Sequence, residues 1–467
     1  MKISLQICTG LIALLAPLAL PAWSQVDNTR DQPVPAFGLD ESQDSANDRM
    51  LTPPPVSGQT YPTAPTSQER SNYLRGGVIF TSAYTDNALG GLSDHPVSDV
   101  SYSIGPMIAL DETTTRMHTV LTYAPGFTAY QKTSSRNEAD QNALIDFEYR
   151  LSSHVTFSAR DGFQKSSNVL NQTDLGLSNA GLGGAVSGTT QGTNFSVIAP
   201  IADRLSNAGN VGLTDQLSLN TMVGAGGTFT NLHYPDASQV PGLYDSSTQG
   251  GSAFYALRLS KTNYIGASYQ FQRLLSYPTE GANETQAHAV LFFYTLYPTS
   301  RFSISVFGGP QYSDSAENLS SGTTTVPALR MWTPASGASL SWQGRTNNLA
   351  ASYSHIIAGG GGLIGAVQME GASLSAGQQI TKTLNASVAG GYSQNNVLDT
   401  LLLAASNGHS IYGTVSLQQQ FGQHLSVQAG YTRLHQSYSN VAVLSSVPDT
   451  NREFISVSYQ FSKALGR

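Results

Sequence analysis

The sequence predicts an all-β protein, a transmembrane antiparallel up-and-down β-barrel of about eighteen strands behind a disordered N-terminal tail. Three observations carry that prediction. A leader-like apolar segment opens the chain, period-two alternation of apolar and polar residues fills it from residue 74 onward, and short links take turns with long ones. Composition agrees. Charged residues make up 11% of the 467, against roughly 25% in soluble domains. A lipid-facing wall is destabilised by charge, whereas neutral Ser, Thr, Asn, Gln and Gly suit a wet lumen and surface loops. A low-complexity surface protein shares this composition, so the pattern along the chain has to separate the two.

At the start, Met1-Lys2 precedes a largely apolar run from Ile7 to Leu20, followed by Pro21-Ala22-Trp23-Ser24-Gln25. A short positive region, an apolar core and small residues before the cut describe a secretory signal peptide over 1–24. An uncleaved anchor is the alternative, but the run is shorter than the roughly 20 residues needed to span. The only cysteine, Cys8, lies within this segment. The exported chain is therefore expected to hold no disulfide and no thiolate ligand.

Residues 25–73 are rich in Pro, Ser, Gln and Asp, with Thr52-Pro-Pro-Pro-Val56 and Tyr61-Pro-Thr-Ala-Pro65. Apolar residues are too sparse there to bury, which predicts a disordered periplasmic tail. Residues 74–467 are assigned to the barrel. Strand 454–461 sets Ile455, Val457, Tyr459 and Phe461 against Phe454, Ser456, Ser458 and Gln460. Residues 264–272, 301–306 and 425–431 alternate in the same way.

Short links recur at 151–154, 217–220, 260–263, 297–300, 343–346, 380–383 and 421–424, with longer Gly- and Ser-rich loops between them. Short turns on one side and long loops on the other are the arrangement of outer-membrane barrels. Eighteen strands follow, beginning with 74–85, 98–110, 115–130, 139–151 and 153–165 and ending with 409–419, 422–437 and 450–462. An even number returns both termini to the periplasm. Sixteen is the alternative count, because 206–217 is weakly patterned.

Strand 143–151 carries the densest chemistry. Asp146, Glu148 and Arg150 share one face, opposite Ile145, Phe147 and Tyr149, and across the next turn Thr156, Ser158 and Arg160 alternate with Val155, Phe157 and Ala159. With the apolar face toward lipid, these six polar residues are candidate lumen-lining groups that orient a polar solute. The simpler reading is that the charges pair across the wall.

The 166–205 loop is the longest and could fold inward as a constriction. None of the nine histidines stands at a metal-ligand spacing, and each reads as a solvated rim residue. Gly359 to Gly362 reads as a plain glycine run in a loop, and Tyr353, Tyr392 and Tyr431 read as interfacial girdle residues. No phosphate loop, dinucleotide fingerprint or recognisable catalytic pair occurs, so no cofactor, metal or enzyme activity is expected. With a net charge of −7 and no basic cluster, nucleic acid is not an expected partner.

The opening strand, Gly76-Gly-Val-Ile-Phe-Thr-Ser-Ala-Tyr-Thr-Asp-Asn87, and the hairpin Asp146-Phe-Glu-Tyr-Arg-Leu-Ser-Ser-His-Val-Thr-Phe157 resemble a loose family of bacterial outer-membrane β-barrels. Some of its members accompany exopolysaccharide systems. The resemblance spans roughly 74–462 and brings no functional residue with it. Ile455, Val457, Tyr459 and Phe461 resemble the C-terminal assembly signal of such barrels, although Ser462 to Arg467 follow where an aromatic end is usual.

The expectation is a non-enzymatic outer-membrane channel in a diderm bacterium, passing polar solutes or a polysaccharide chain. Its partners would be outer-membrane lipid, lipopolysaccharide and the barrel assembly machinery, and homo-oligomers stay open. The alternatives are a structural or surface-interaction barrel whose loops bind matrix or a partner protein, and more remotely an outer-membrane hydrolase.

Overall fold

The computed structural model describes residues 72–89, 95–166, 203–236, 240–278, 281–299, 301–318, 329–398, 407–441 and 449–465. The leader and nearly all of the tail lie outside them, as does most of the 166–205 loop. Nineteen strands form one antiparallel sheet. They are β1 (Tyr73–Thr85), β2 (Asp99–Thr113), β3 (Met117–Tyr123), β4 (Gly126–Tyr130), β5 (Glu138–Arg150), β6 (Val155–Ser166), β7 (Arg204–Ser218), β8 (Thr221–His233), β9 (Asp245–Ser260) and β10 (Asn263–Tyr277). The second half is β11 (Ala282–Thr299), β12 (Phe302–Asn318), β13 (Leu329–Gln343), β14 (Asn347–Gly359), β15 (Ala366–Gln379), β16 (Leu384–Val397), β17 (Gly408–Phe421), β18 (Leu425–Tyr438) and β19 (Asp449–Ala464).

The wall has eighteen crossings, because β3 and β4 are two pieces of one strand. The break falls at Ala124-Pro125, where proline has no N–H to donate. Ala124 and Asn142 still exchange backbone bonds of 2.8 and 3.2 Å, so the side-chain alternation passes through unbroken. The weakly patterned segment at 206–217 is a full strand, β7, which settles the count at eighteen.

Closure is made by β19, which pairs with β18 on one side and along thirteen positions of β1 on the other, from Tyr73↔Ala464 to Thr85↔Arg452. With no free edge at this joint, every backbone group there has a partner, as a wall in hydrocarbon requires. The last strand presents an apolar ridge outward. Ile455, Val457, Tyr459 and Phe461 are all exposed. The Phe461 ring lies over Gly76, where a β-carbon would collide with it.

Outward positions form an apolar belt that includes Phe80, Ile104, Leu121, Ile145, Val211, Phe292, Val306, Leu374, Val415 and Val457. Tyr353, Tyr392 and Tyr431 face outward as well. Asp161 breaks the belt on β6, and Asn207 Nδ2 donates to its two carboxylate oxygens at 3.2 and 3.3 Å. Inward positions are mostly Ser, Thr, Gln, Asn and Gly. Cross-strand hydroxyl pairs such as Thr285–Ser315 and Thr295–Ser305, both 2.9 Å, satisfy them in place.

All the short links lie at one rim, which also holds the ends of β1 and β19, and the long loops lie at the other.

Candidate functional site

Two regions of the lumen stand out among the described residues, one by its charge and one by its shape, beside the single buried inward charges of Asp99, Asp140, Arg204 and Arg452 in the long-loop half. The first is the inner face near the short-turn rim. Asp146, Glu148 and Arg150 alternate with the outward Ile145, so they face inward. β5–β6 register sets Asp146 opposite Arg160, Glu148 opposite Ser158 and Arg150 opposite Thr156. On the other flank His118 of β3 is opposite Glu148, and Val120 is opposite Asp146.

The same patch extends onto β1, β2 and β3. His118 Nε2 lies 3.3 Å from Asp111 Oδ1, and Arg75 lies 3.4 Å from the same carboxylate. Alternation within β1 to β3 was the one available signal for these three. Glu148 Oε1 is buried without a hydrogen-bond partner, a costly arrangement unless a water or solute donates to it.

The second region is a constriction at the long-loop half. β14 pairs with β15 up to Gly359↔Ala366, but the top of this hairpin leaves the wall and folds into the lumen. Its upper part, residues 357–365, rests on the inner faces of β10 and β12. Gly365 N–H donates to Ser276 Oγ at 2.9 Å, and Ile357 N–H donates to Gln311 Oε1 at 3.1 Å. β14 thereby comes against β9 and β10, five and four strands away around the wall.

Glycine is required here. Gly361 and Gly362 have φ of 63° and 108°, and a β-carbon on Gly360 would strike the carbonyls of Leu363 and Gly365. The run that reads as plain loop sequence makes the turn by which this hairpin enters the lumen.

Two further loops meet this tip. Tyr244 N–H donates to the Gly362 carbonyl at 2.7 Å, and Gly242 lies against Asn440 and Val441 of the β18–β19 loop. Tyr234, Val240, Leu243, Leu363 and Val441 pack with inward residues of β15, β16 and β18 into one buried cluster, in which Val240 and Leu363 have no exposed surface. Burial pushes the Tyr234 phenol up to about 12, so it stays neutral over any ordinary pH.

Toward the short-turn rim the filling ends. Inward residues pass from buried at Val367, Ser393 and Asn395 to exposed at Ala350, Ser375 and Ser387. The result is an open vestibule below an apolar constriction.

The histidines divide by position. His233, His355 and His435 face outward near the long-loop rim, each within 3.2 Å of a carboxylate on Asp245, Glu370 or Asp449. His154 and His424 lie in short turns, and His118 faces the lumen. Among the described residues no group of three His, Cys, Asp or Glu side chains could hold a metal ion.

No family model matches the chain, and no curated protein matches it. Solved structures of similar shape include the ferric citrate transporter FecA in its unliganded form, 11% identical with a TM-score of 0.42, covering 80% of this chain and 61% of that one. The chain thus spans less than two thirds of FecA's length. OccAB4 of Acinetobacter baumannii is 10% identical with a TM-score of 0.41, covering 85% of this chain and 99% of that one. OpdQ of Pseudomonas aeruginosa is 9% identical with a TM-score of 0.40, covering 84% and 99%. The barrel itself stands on the strand pairing of this chain.

Proposed function

We propose that the chain is a non-enzymatic outer-membrane channel for polar solutes, exported through its leader, with the short turns in the periplasm and the long loops outside. The observation that carries this reading is the two-faced wall. Eighteen crossings close on themselves with a belt of exposed apolar side chains outside and hydroxyl and amide side chains inside. An apolar exterior of this kind is stable only in lipid, and a polar interior only in water. The neutral vestibule at Ser375 and Ser387 suits sugars, a nascent polysaccharide included, better than ions. The inward patch from Arg75 to Arg160 orients charged groups that enter from the periplasmic side. Lipopolysaccharide is the neighbour that the outward His–carboxylate collar would meet, and the barrel assembly machinery the one that the last strand would meet.

The buried tip favours a second reading, a barrel closed in its resting form whose outer loops bind a surface partner. Conductance in a planar bilayer separates the two. A channel gives small, stable steps that neutral oligosaccharides block. A folded barrel with no conductance, both intact and with residues 360–364 deleted, would remove the channel reading.

A further inference from the structure

β13 is paired to β12 along nearly its whole length, from Leu329↔Ser315 to Trp342↔Phe302. Its pairing to β14 covers only Ser336↔His355 to Gln343↔Asn348. Beyond that point the two strands part. Among the described residues no strand pairs with Leu329 to Ala335 on that side. The amide of Ile357, which would continue the ladder, donates to Gln311 inside the lumen instead. The barrel wall is therefore split by a seam that begins at the upper edge of the apolar belt and runs toward the long-loop rim. Unpaired strand edges are costly at a membrane surface, and natural sheets cover or blunt them.

The two sides of the seam differ in chemistry. Its outer lip carries Trp332, 70% exposed, which continues an aromatic row through Tyr312, 5.1 Å away between ring centres, to His288. Behind the seam, Leu274, Ala287, Ile357, Ala366 and Leu398 form a buried apolar cluster with Met331 of β13 packed against it. Thr333 Oγ1 is buried nearby without a partner. Polar groups frame the outer mouth: Arg330 is 3.1 Å from Asp314, and Gln368 Nε2 donates to His355 Nε2 at 2.7 Å.

We propose that this seam is a lateral port for a single-chain amphiphile of the outer leaflet. The hydrocarbon chain enters between β13 and β14 and reaches the cluster of Met331, Leu274 and Ile357. Its polar head stays at the mouth beside Arg330 and Gln368. Hydrocarbon is the class that the lining selects, because burying a chain against these side chains removes apolar surface from water or headgroups while asking for no hydrogen bonds. The outer leaflet is the source, because the seam opens where the lipid-facing belt ends. This rests on the reading of the chain as a membrane barrel.

The test uses the full folded barrel in phospholipid vesicles containing dodecanoate with a diazirine at its chain end. After illumination, labelled residues are mapped by mass spectrometry. The port predicts label on Met331, Leu274 and Ile357, several-fold above Ser375 and Ser387, together with label on the outward Phe292 and Val306. Met331→Gln, checked for folding by its heat-modified mobility, lowers the inner label several-fold and leaves the outward label unchanged. Should that variant not fold, Met331→Ala serves with the same expectation.

Label confined to outward residues overturns the port. Label strongest at Ser375 and Ser387 means entry through the aqueous mouth and overturns it as well. Loss of label from Phe292 and Val306 removes the membrane reading rather than the port.

Discussion

The hairpin β5–β6 and the hairpin β14–β15 are built from the same alternating pattern, yet they do opposite things. β5–β6 holds its register over ten positions, from Gln141↔Lys165 to Arg150↔Thr156, and never leaves the wall. It also carries the most charge. β14–β15 has little charge and much glycine, and its upper end folds into the lumen, where Ile357 rests on Gln311 and Gly365 on Ser276. A strand rich in titratable groups is thus structurally ordinary, while a chemically blank run is the place where the barrel departs from its own rule. Charge on an inward face is compatible with any straight strand. Leaving the wall needs a backbone that can turn sharply, and that is what the glycines supply.

The contrast can be broken at the tip first. Gly361→Val with Gly362→Val puts branched side chains at positive φ, costing on the order of 1–3 kcal/mol at each site. The tip should release from β10 and β12, and single-channel conductance should rise several-fold with the barrel still heat-modifiable. Unchanged conductance would mean that the tip does not restrict the lumen.

A smaller effect is expected on the regular hairpin. Ile145→Lys places a charge on the lipid face and should destabilise the barrel by about 2–4 kcal/mol in urea unfolding. Ser158→Lys faces the lumen and should cost under about 1 kcal/mol. Equal costs would show that the assignment of faces on β5 and β6 is wrong.

The smallest effect sharpens the comparison. Asp146→Asn removes one inward charge from the wall and should leave stability nearly unchanged. The permeability ratio in potassium chloride should move toward anions, by roughly twofold. No movement in the reversal potential would leave the patch as a structural charge pairing.

Much of the architecture was legible because alternation of period two is a direct imprint of a wall with two solvents. The strand count, the short links and the outward ridge of β19 all follow from it. Strand ends at the long-loop rim were harder. β9 already begins at Asp245 and β13 at Leu329. Above the belt, outward residues such as Ser247 and Arg330 are polar too, so the contrast between faces fades while the pairing continues.

The constriction was not legible. Gly359 to Gly362 announces freedom to turn but names no destination. The contacts that hold the tip lie far along the chain, as between Gly365 and Ser276. The six candidate lumen residues could be placed on one face from sequence, but Arg75, Asp111 and His118 joined them only through the order of strands around the barrel.

The joint between β1 and β19 has a consequence for how such a chain matures. Thr81 Oγ1 and Ser456 Oγ sit 2.7 Å apart although they are 375 positions apart along the chain. Bringing ends so far apart together has an entropic cost that grows only slowly with length, so distance is no great thermodynamic obstacle. It is an obstacle in time. From its synthesis until the last strand arrives, β1 presents a bare ladder of donors and acceptors that any other strand could claim. The first edge therefore needs a cover until the last strand arrives, and β19 is the strand that supplies the permanent one.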